Sequence, residues 1–255
     1  LDPLQRIEKY FGTAFCGLKA GHSDAVYNMQ YFAQKYPLSA HADQASFLIA
    51  LYYFEKNQFG NAREWLTKVS QDNLSPIELP HYHFMMGYSS FVLGKFAAAK
   101  PHFLAARKDQ RFNQAAHYYL GFMNYSEGQF IIAQESFDQL EVNSKYHKQM
   151  LLLRADMSFK MGDYQKAIDW AQASFSVASA QEKNTLHRLT GAALFALERY
   201  SEALPHLESY NGPRGQKDPD DLYQLGYCYY RAEAFDKAIS SFNQLVDQNN
   251  LLGQN

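Results

Sequence analysis

Residues 225–242 read LGYCYYRAEAFDKAISSF. Tyrosines, a cysteine and two basic residues crowd together here, and they pose a choice between a reactive cluster and a structural unit used many times. Other stretches answer it. IALYYFEKNQFGNAREWL begins at Ile49, MGYSSFVLGKFAAAKPHF at Met86, LGFMNYSEGQFIIAQESF at Leu120, RADMSFKMGDYQKAIDWA at Arg154 and TGAALFALERYSEALPHL at Thr190. All share one skeleton. A small residue is followed four positions on by an aromatic, five later by another, and three later by alanine.

The alanine column is Ala25, Ala62, Ala99, Ala133, Ala167, Ala203 and Ala238, at intervals of 37, 37, 34, 34, 36 and 35. Three before it stand Phe59, Phe96, Phe130, Tyr164, Tyr200 and Phe235, with His22 the exception. Eight before it stand Gly17, Phe54, Phe91, Tyr125, Phe159, Phe195 and Tyr230. Twelve before it stand Thr13, Ala50, Gly87, Gly121, Ala155, Gly191 and Gly226. Self-similarity at such a period is the mark of a repeat array. Within a repeat the apolar and small positions fall at helical spacing, as in Leu222, Leu225, Gly226 and Tyr229, which gives one buried stripe per helix. Glycine or alanine lets two helices approach, and the aromatics fill the wedge beside them. EGQF, MGDY and LGKF mark turns in which glycine ends the first helix. Pro101 and Pro205 are expected early in second helices, where a missing N–H is best tolerated.

This pattern resembles the tetratricopeptide repeat, a helix–turn–helix unit of about 34 residues. The resemblance implies an all-α, right-handed α-solenoid of about seven repeats, near 6–37, 44–75, 80–112, 114–146, 148–181, 184–217 and 219–250, forming a single array over residues 1–255. The first repeat is degenerate at Thr13, Gly17 and His22. The longer intervals put extra residues into KYPLSAHADQA (35–45) and SQDNLSPIELP (70–80). The former is similar to the linker of bacterial cell-envelope repeat proteins, such as outer-membrane assembly lipoproteins and the Tol–Pal coordinator. The chain as a whole looks like the large repeat proteins of Bacteroidetes envelopes, which implies a periplasmic or outer-membrane-associated place, with the cytoplasm as the alternative.

Composition narrows the work such an array can do. A formal net charge of -2, without a long basic tract, leaves no electrostatic footprint for nucleic acid. No apolar run approaches the roughly 18 residues of a membrane span. The opening LDPLQRIEKYFG has neither an initiator methionine nor an apolar leader, as expected of a processed chain. An array needs its ends covered. Ile239 and Val246 lie on a side that a following helix would cover, so the chain is expected to be the N-terminal part of a longer protein, or to self-associate there.

Chemistry is harder to find. His83, His117 and His187 share one repeat position, four before the small column, but structural zinc wants four ligands, usually with thiolates nearby. Helix-interface histidines are the expectation, with neither metal nor cofactor. Cys16 and Cys228 lie near opposite ends, with no base close to Cys228, and read as packing residues. No nucleophile, acid and base assemble, so the chain is expected not to be an enzyme.

In the repeat family the first helices line the concave surface. Positions three before and one after the small column then face inward. They are Phe47 and Leu51, Phe84 and Tyr88, Tyr118 and Phe122, Leu152 and Asp156, Arg188 and Ala192, Tyr223 and Tyr227. The family's carboxylate clamp for chaperone tails would place Lys and Asn at such positions. Aromatics stand here instead, which suits an apolar peptide or a helix laid in a groove. The expected site is therefore Phe47, Leu51, Phe84, Tyr88, Tyr118, Phe122, Tyr223 and Tyr227, and the expected partner a protein or peptide. Packing between neighbouring first helices is the competing role for each ring. A glycan-binding role in nutrient uptake and a purely architectural role are the alternatives. The short inter-repeat loops count against the glycan role.

Overall fold

Helix boundaries follow from local chemistry. Ser179 and Glu182 form a capping box at one helix start: the Glu182 carboxylate accepts from the Ser179 N–H at 2.6 Å. Those bonds and the nearby Lys148 pull the Glu182 carboxyl down to about 2. Asp218 and Asp221 form the same device on either side of Pro219, whose missing N–H costs nothing at a first helical position. The computed structural model describes residues 2–22 and 24–252, with side chains other than those of Arg214 and 248–252. Among these residues there are fourteen α-helices and no strand.

They follow one another as helix–turn–helix pairs: α1 (Pro3–Ala20) and α2 (Ala25–Lys35), α3 (Ala42–Glu55) and α4 (Phe59–Leu66), α5 (Glu78–Val92) and α6 (Phe96–Ala106), α7 (Asn113–Ser126) and α8 (Phe130–Phe137). Then come α9 (His147–Lys160) and α10 (Tyr164–Phe175), α11 (Ala180–Ala196) and α12 (Tyr200–Ser209), α13 (Pro219–Arg231) and α14 (Phe235–Leu252). The chain divides into two compact units, Leu1–Met123 and Asn124–Asn255, with the boundary inside α7.

All seven turns use one device. One or two positions past each first helix stands a left-handed residue: Gly21, Asn57, Gly94, Gly128, Gly162, Glu198 and Glu233, with φ between 57° and 78°. The next N–H then reaches back to a carbonyl of the last helical turn at 2.8–3.0 Å, as from Gln58 to Tyr53 and from Arg199 to Leu194. This Schellman closure satisfies carbonyls the helix end would leave open. Glycine makes it free of strain in four turns. Asn57, Glu198 and Glu233 adopt a conformation that costs an L residue about 1–2 kcal/mol.

The alanine column is buried throughout. In unit 1 the core gathers around Phe11, Met29, Phe32, Ile49, Leu66 and Met85. In unit 2 it gathers around Ala167, Leu194, Ala203, Leu207 and Cys228. Three glycines of the small column each face a residue sixteen positions on, in the second helix. Gly87 meets Phe103, Gly191 meets Leu207 and Gly226 meets Phe242, where an added Cβ would stand 3.2, 2.7 and 2.8 Å from the nearest side-chain atom.

Pro101 and Pro205 differ from expectation. Each is the sixth residue of its helix rather than a first-turn residue. Each therefore forfeits one intrahelical bond, and its ring points to solvent, where water can satisfy the freed carbonyl.

Candidate functional site

The two aromatic columns meet across every turn that carries both. Ring centroids of Phe54–Phe59, Phe91–Phe96, Tyr125–Phe130, Phe159–Tyr164, Phe195–Tyr200 and Tyr230–Phe235 lie 5.4–6.0 Å apart. Each pair clasps the end of a first helix to the start of the second. Edge-to-face, tilted and stacked pairs of this kind are worth about 0.5–1.5 kcal/mol beyond the area they bury.

On these clasps stand rings from the next first helix. Tyr88 lies 5.6 Å from Phe54 and 5.2 Å from Phe59. Phe122 lies 5.7 Å from Phe91. Tyr227 lies 5.7 Å from Phe195 and 5.1 Å from Tyr200. Three rings expected in the groove thus also join neighbouring repeats, and all three remain half-buried. Phe84 stacks on Tyr88 and on Phe112, with centroids 6.1 and 4.7 Å apart. Tyr118 lies 6.5 Å from Phe122. Tyr223 stacks on Tyr227 at 6.2 Å and is 49% exposed. Leu51 is half-buried. Phe47 differs: it is 4% exposed, edge-on to His81 at 5.9 Å, and belongs to the core of unit 1.

Two repeats carry no aromatic at these positions. Asp156 accepts from the Tyr125 hydroxyl and pairs with Lys160 at 2.7 Å. Arg188 pairs with Asp221 at 2.8 Å and Asp218 at 2.9 Å, and lies over the Tyr210 ring. The Asp221 side chain is 4% exposed, so this guanidinium neutralises a buried carboxylate. The hydrogen bond that Arg188 donates to Asp221 in turn raises the Arg188 pKa.

The histidines show an arrangement that sequence reading missed. His83 and His102 face each other with Nδ1 atoms 3.0 Å apart, and His187 and His206 do the same at 3.1 Å. Each pair ties a first helix to its second helix, nineteen residues on. One neutral ring donates and the other accepts. Burial and the neighbouring His83 and Arg63 lower His102 to about 4, and burial and His187 lower His206. The only sequence signal was a shared Pro-His placed three residues after the alanine column. Among the described residues no three His, Cys, Asp or Glu side chains gather as a metal set. Cys228 is buried and its thiol is pushed up to about 11 by desolvation, which removes it as a nucleophile at neutral pH.

Comparison with known proteins agrees with this architecture. Residues 84–130 match the family model of the tetratricopeptide repeat. A tetratricopeptide repeat-containing protein of Methanocaldococcus jannaschii is 22% identical over 208 residues, 79% of this chain and 33% of that protein. The chain therefore spans about a third of the length of that curated relative. The C-terminal part of a tetratricopeptide repeat protein from Cytophaga hutchinsonii superposes with a TM-score of 0.59 at 15% identity, covering 93% of this chain and 94% of that one. A tetratricopeptide repeat protein from Parabacteroides merdae superposes with a TM-score of 0.53 at 14% identity, covering 95% and 93%. Among the described residues no helix is long and apolar enough to cross a membrane.

Proposed function

We propose that this chain, a tetratricopeptide-repeat protein, is a non-catalytic scaffold that holds a peptide or extended protein segment against its first-helix faces, the concave side in this repeat family. The observation that carries the reading is the set of aromatic pairs one helical turn apart: Phe84/Tyr88 and Tyr118/Phe122 in unit 1, and Tyr223/Tyr227 in unit 2. Phe84, Tyr88, Phe122, Tyr223 and Tyr227 each rest against a clasp, Tyr118 rests against Phe122, and none of the six is buried. Such rings offer large contact area with little rotamer entropy left to lose. A photo-crosslinking side chain at Tyr223, compared with one at Ile132 on a second helix of the same unit, tests the reading. Adducts with a partner segment form at Tyr223 and not at Ile132. Equal yields at both would refute it.

The linker at 35–45 supports a place in a Gram-negative envelope, and fractionation of tagged cells tests that. A second reading, self-association, is favoured by α14, where Phe235, Ile239 and Val246 are each more than half exposed. Sedimentation tests it: a mass that grows with concentration, and ceases to grow when Ile239 and Val246 are made Asn, supports it. A constant mass excludes it.

A further inference from the structure

The series of rings standing on clasps is interrupted in the fifth repeat, which has Asp156 there, and in the sixth. Where the third, fourth and seventh repeats have Tyr88, Phe122 and Tyr227, the sixth has Ala192. Among the described residues no third ring stands on the Phe159–Tyr164 clasp. In that place unit 2 holds a cavity of about 300 Å³. Phe159, Leu189 and Ala192 form its apolar floor. Asp156, Arg188, Asp220, Asp221 and Gln224 form its polar wall.

The wall is rich in acceptors and poor in free donors. The Arg188 guanidinium is taken by Asp218 and Asp221, and Asp156 is taken by Lys160 and Tyr125. Counting these partners, four carboxylates face two cations. Asp220 is exposed and makes neither an ion pair nor a side-chain hydrogen bond. Gln224 lies one turn further along α13, on the same face, and its Oε1 is buried without a donor. A buried acceptor left unpaired is costly, so an occupant that brings donors is favoured over one that brings only apolar surface.

We infer that this cavity receives a basic side chain, arginine above lysine, from the bound peptide: its stem lies on Phe159, Leu189 and Ala192, and its head meets Asp220 and Gln224 Oε1. Arginine is favoured because its planar fork carries several donors and stacks on an aromatic face. A carboxylate ligand would meet the negative excess. An aromatic ligand would fill the floor and leave the acceptors unmet. The inference rests on the peptide-binding reading and narrows the partner to one that presents a basic residue.

The test is an amide-NMR titration of the whole chain with acetyl-Ser-Gly-Ala-X-Ala-Gly-Ser-amide, X being arginine, citrulline, glutamate or phenylalanine. The arginine peptide shifts amides of α9, α11 and α13 around the cavity. The other three bind at least tenfold more weakly. Asp220→Asn, on the surface in the first turn of α13, weakens the arginine peptide several-fold. Ala192→Phe supplies the absent ring and abolishes binding. Preference for glutamate or phenylalanine, equal binding of arginine and citrulline, shifts confined to other helices, or full binding by Asp220→Asn overturns the assignment. A displayed library of random dodecapeptides separates its failure from that of the parent reading. Recovered sequences without enrichment of arginine or lysine overturn the pocket and leave peptide binding intact. Recovery of no sequence overturns both.

Discussion

Glycine-to-alanine substitution at four sites gives effects whose sign is set by the space beside each glycine. Gly12 lies inside α1 with nothing within 4 Å of an added Cβ. Only the helix preference for alanine acts there, and Gly12→Ala stabilises by about 0.5–1 kcal/mol. At Gly87 the Cβ would meet the Phe103 ring at 3.2–3.3 Å, so small ring movements absorb the contact and the net change is close to zero. At Gly191 the Cβ would stand 2.7 and 2.8 Å from Leu207 Cδ2 and Cγ and 3.3 Å from the Leu207 backbone nitrogen. Leu207 is 1% exposed and cannot turn away, so α11 and α12 must separate. Overpacking of this kind costs about 1–3 kcal/mol. Less the propensity gain, Gly191→Ala destabilises by about 0.5–2 kcal/mol. Gly226→Ala falls between, because its contact is the far edge of the half-buried Phe242 ring. Arrays need not unfold in one step, so denaturant melts should be paired with hydrogen exchange read on α11 and α12. Loss of protection in Gly191→Ala should concentrate there. If Gly191→Ala stabilises as much as Gly12→Ala, the close approach of α11 and α12 is wrong.

Three further expectations concern titration and burial. His102 is held at about 4 against an ordinary 6.5, so the unfolded chain binds more protons between these values. Stability is then full above pH 6.5 and falls as pH drops toward 4. At pH 5 the unscreened loss from this ring is about 2 kcal/mol, and solvent screening at a half-exposed site reduces it to about 1 kcal/mol. Melting from pH 7.5 to 5 should show a shallower decline in His102→Asn than in the parent, and equal slopes would exclude the pair as its source. Asp221→Ala leaves Arg188 with Asp218 alone and removes the N3 half of the α13 capping box; a loss of about 1–3 kcal/mol in chemical melts is expected, and a loss below about 0.5 kcal/mol would mean the pair is not buried as described. At pH 7.5 a thiol reagent should label Cys16 at once and Cys228 only on unfolding. Rapid labelling of both would contradict the burial of Cys228.

The repeat was legible because its columns record packing that recurs. The alanines recur buried in all seven copies, the clasps in six and the glycine turns in four. What escaped were features that exist only once a repeat has closed. His102 becomes a partner for His83 when two helices fold against each other, and nothing local marks it beyond Pro101. Glu198 and Glu233 occupy left-handed turns where glycine would be read, because the Schellman bonds impose the conformation whatever the side chain. Phe47 was assigned to the groove by register alone, although His81 of the next repeat covers it. The cavity over Phe159 was the least legible, since Ala192 marks a gap only when compared with Tyr88, Phe122 and Tyr227.

The close approach of small-column glycines to partners sixteen residues on bears on how such a chain can be rearranged. Gly191 faces Leu207 and Gly87 faces Phe103 with little room for a Cβ, while Ala155 and Ala171 share one core cluster, so these first helices are keyed to their own second helices. A crossover in a turn would join α9 to α12 and drive the Ala155 methyl toward Leu207. A crossover in a loop between repeats would carry lock and key together. The heritable module is thus the hairpin rather than the helix. Duplication, deletion or grafting with junctions near residues 37–41, 107–112 or 210–218 should preserve folding, whereas the same operations cut at Gly94, Gly162 or Glu198 should not.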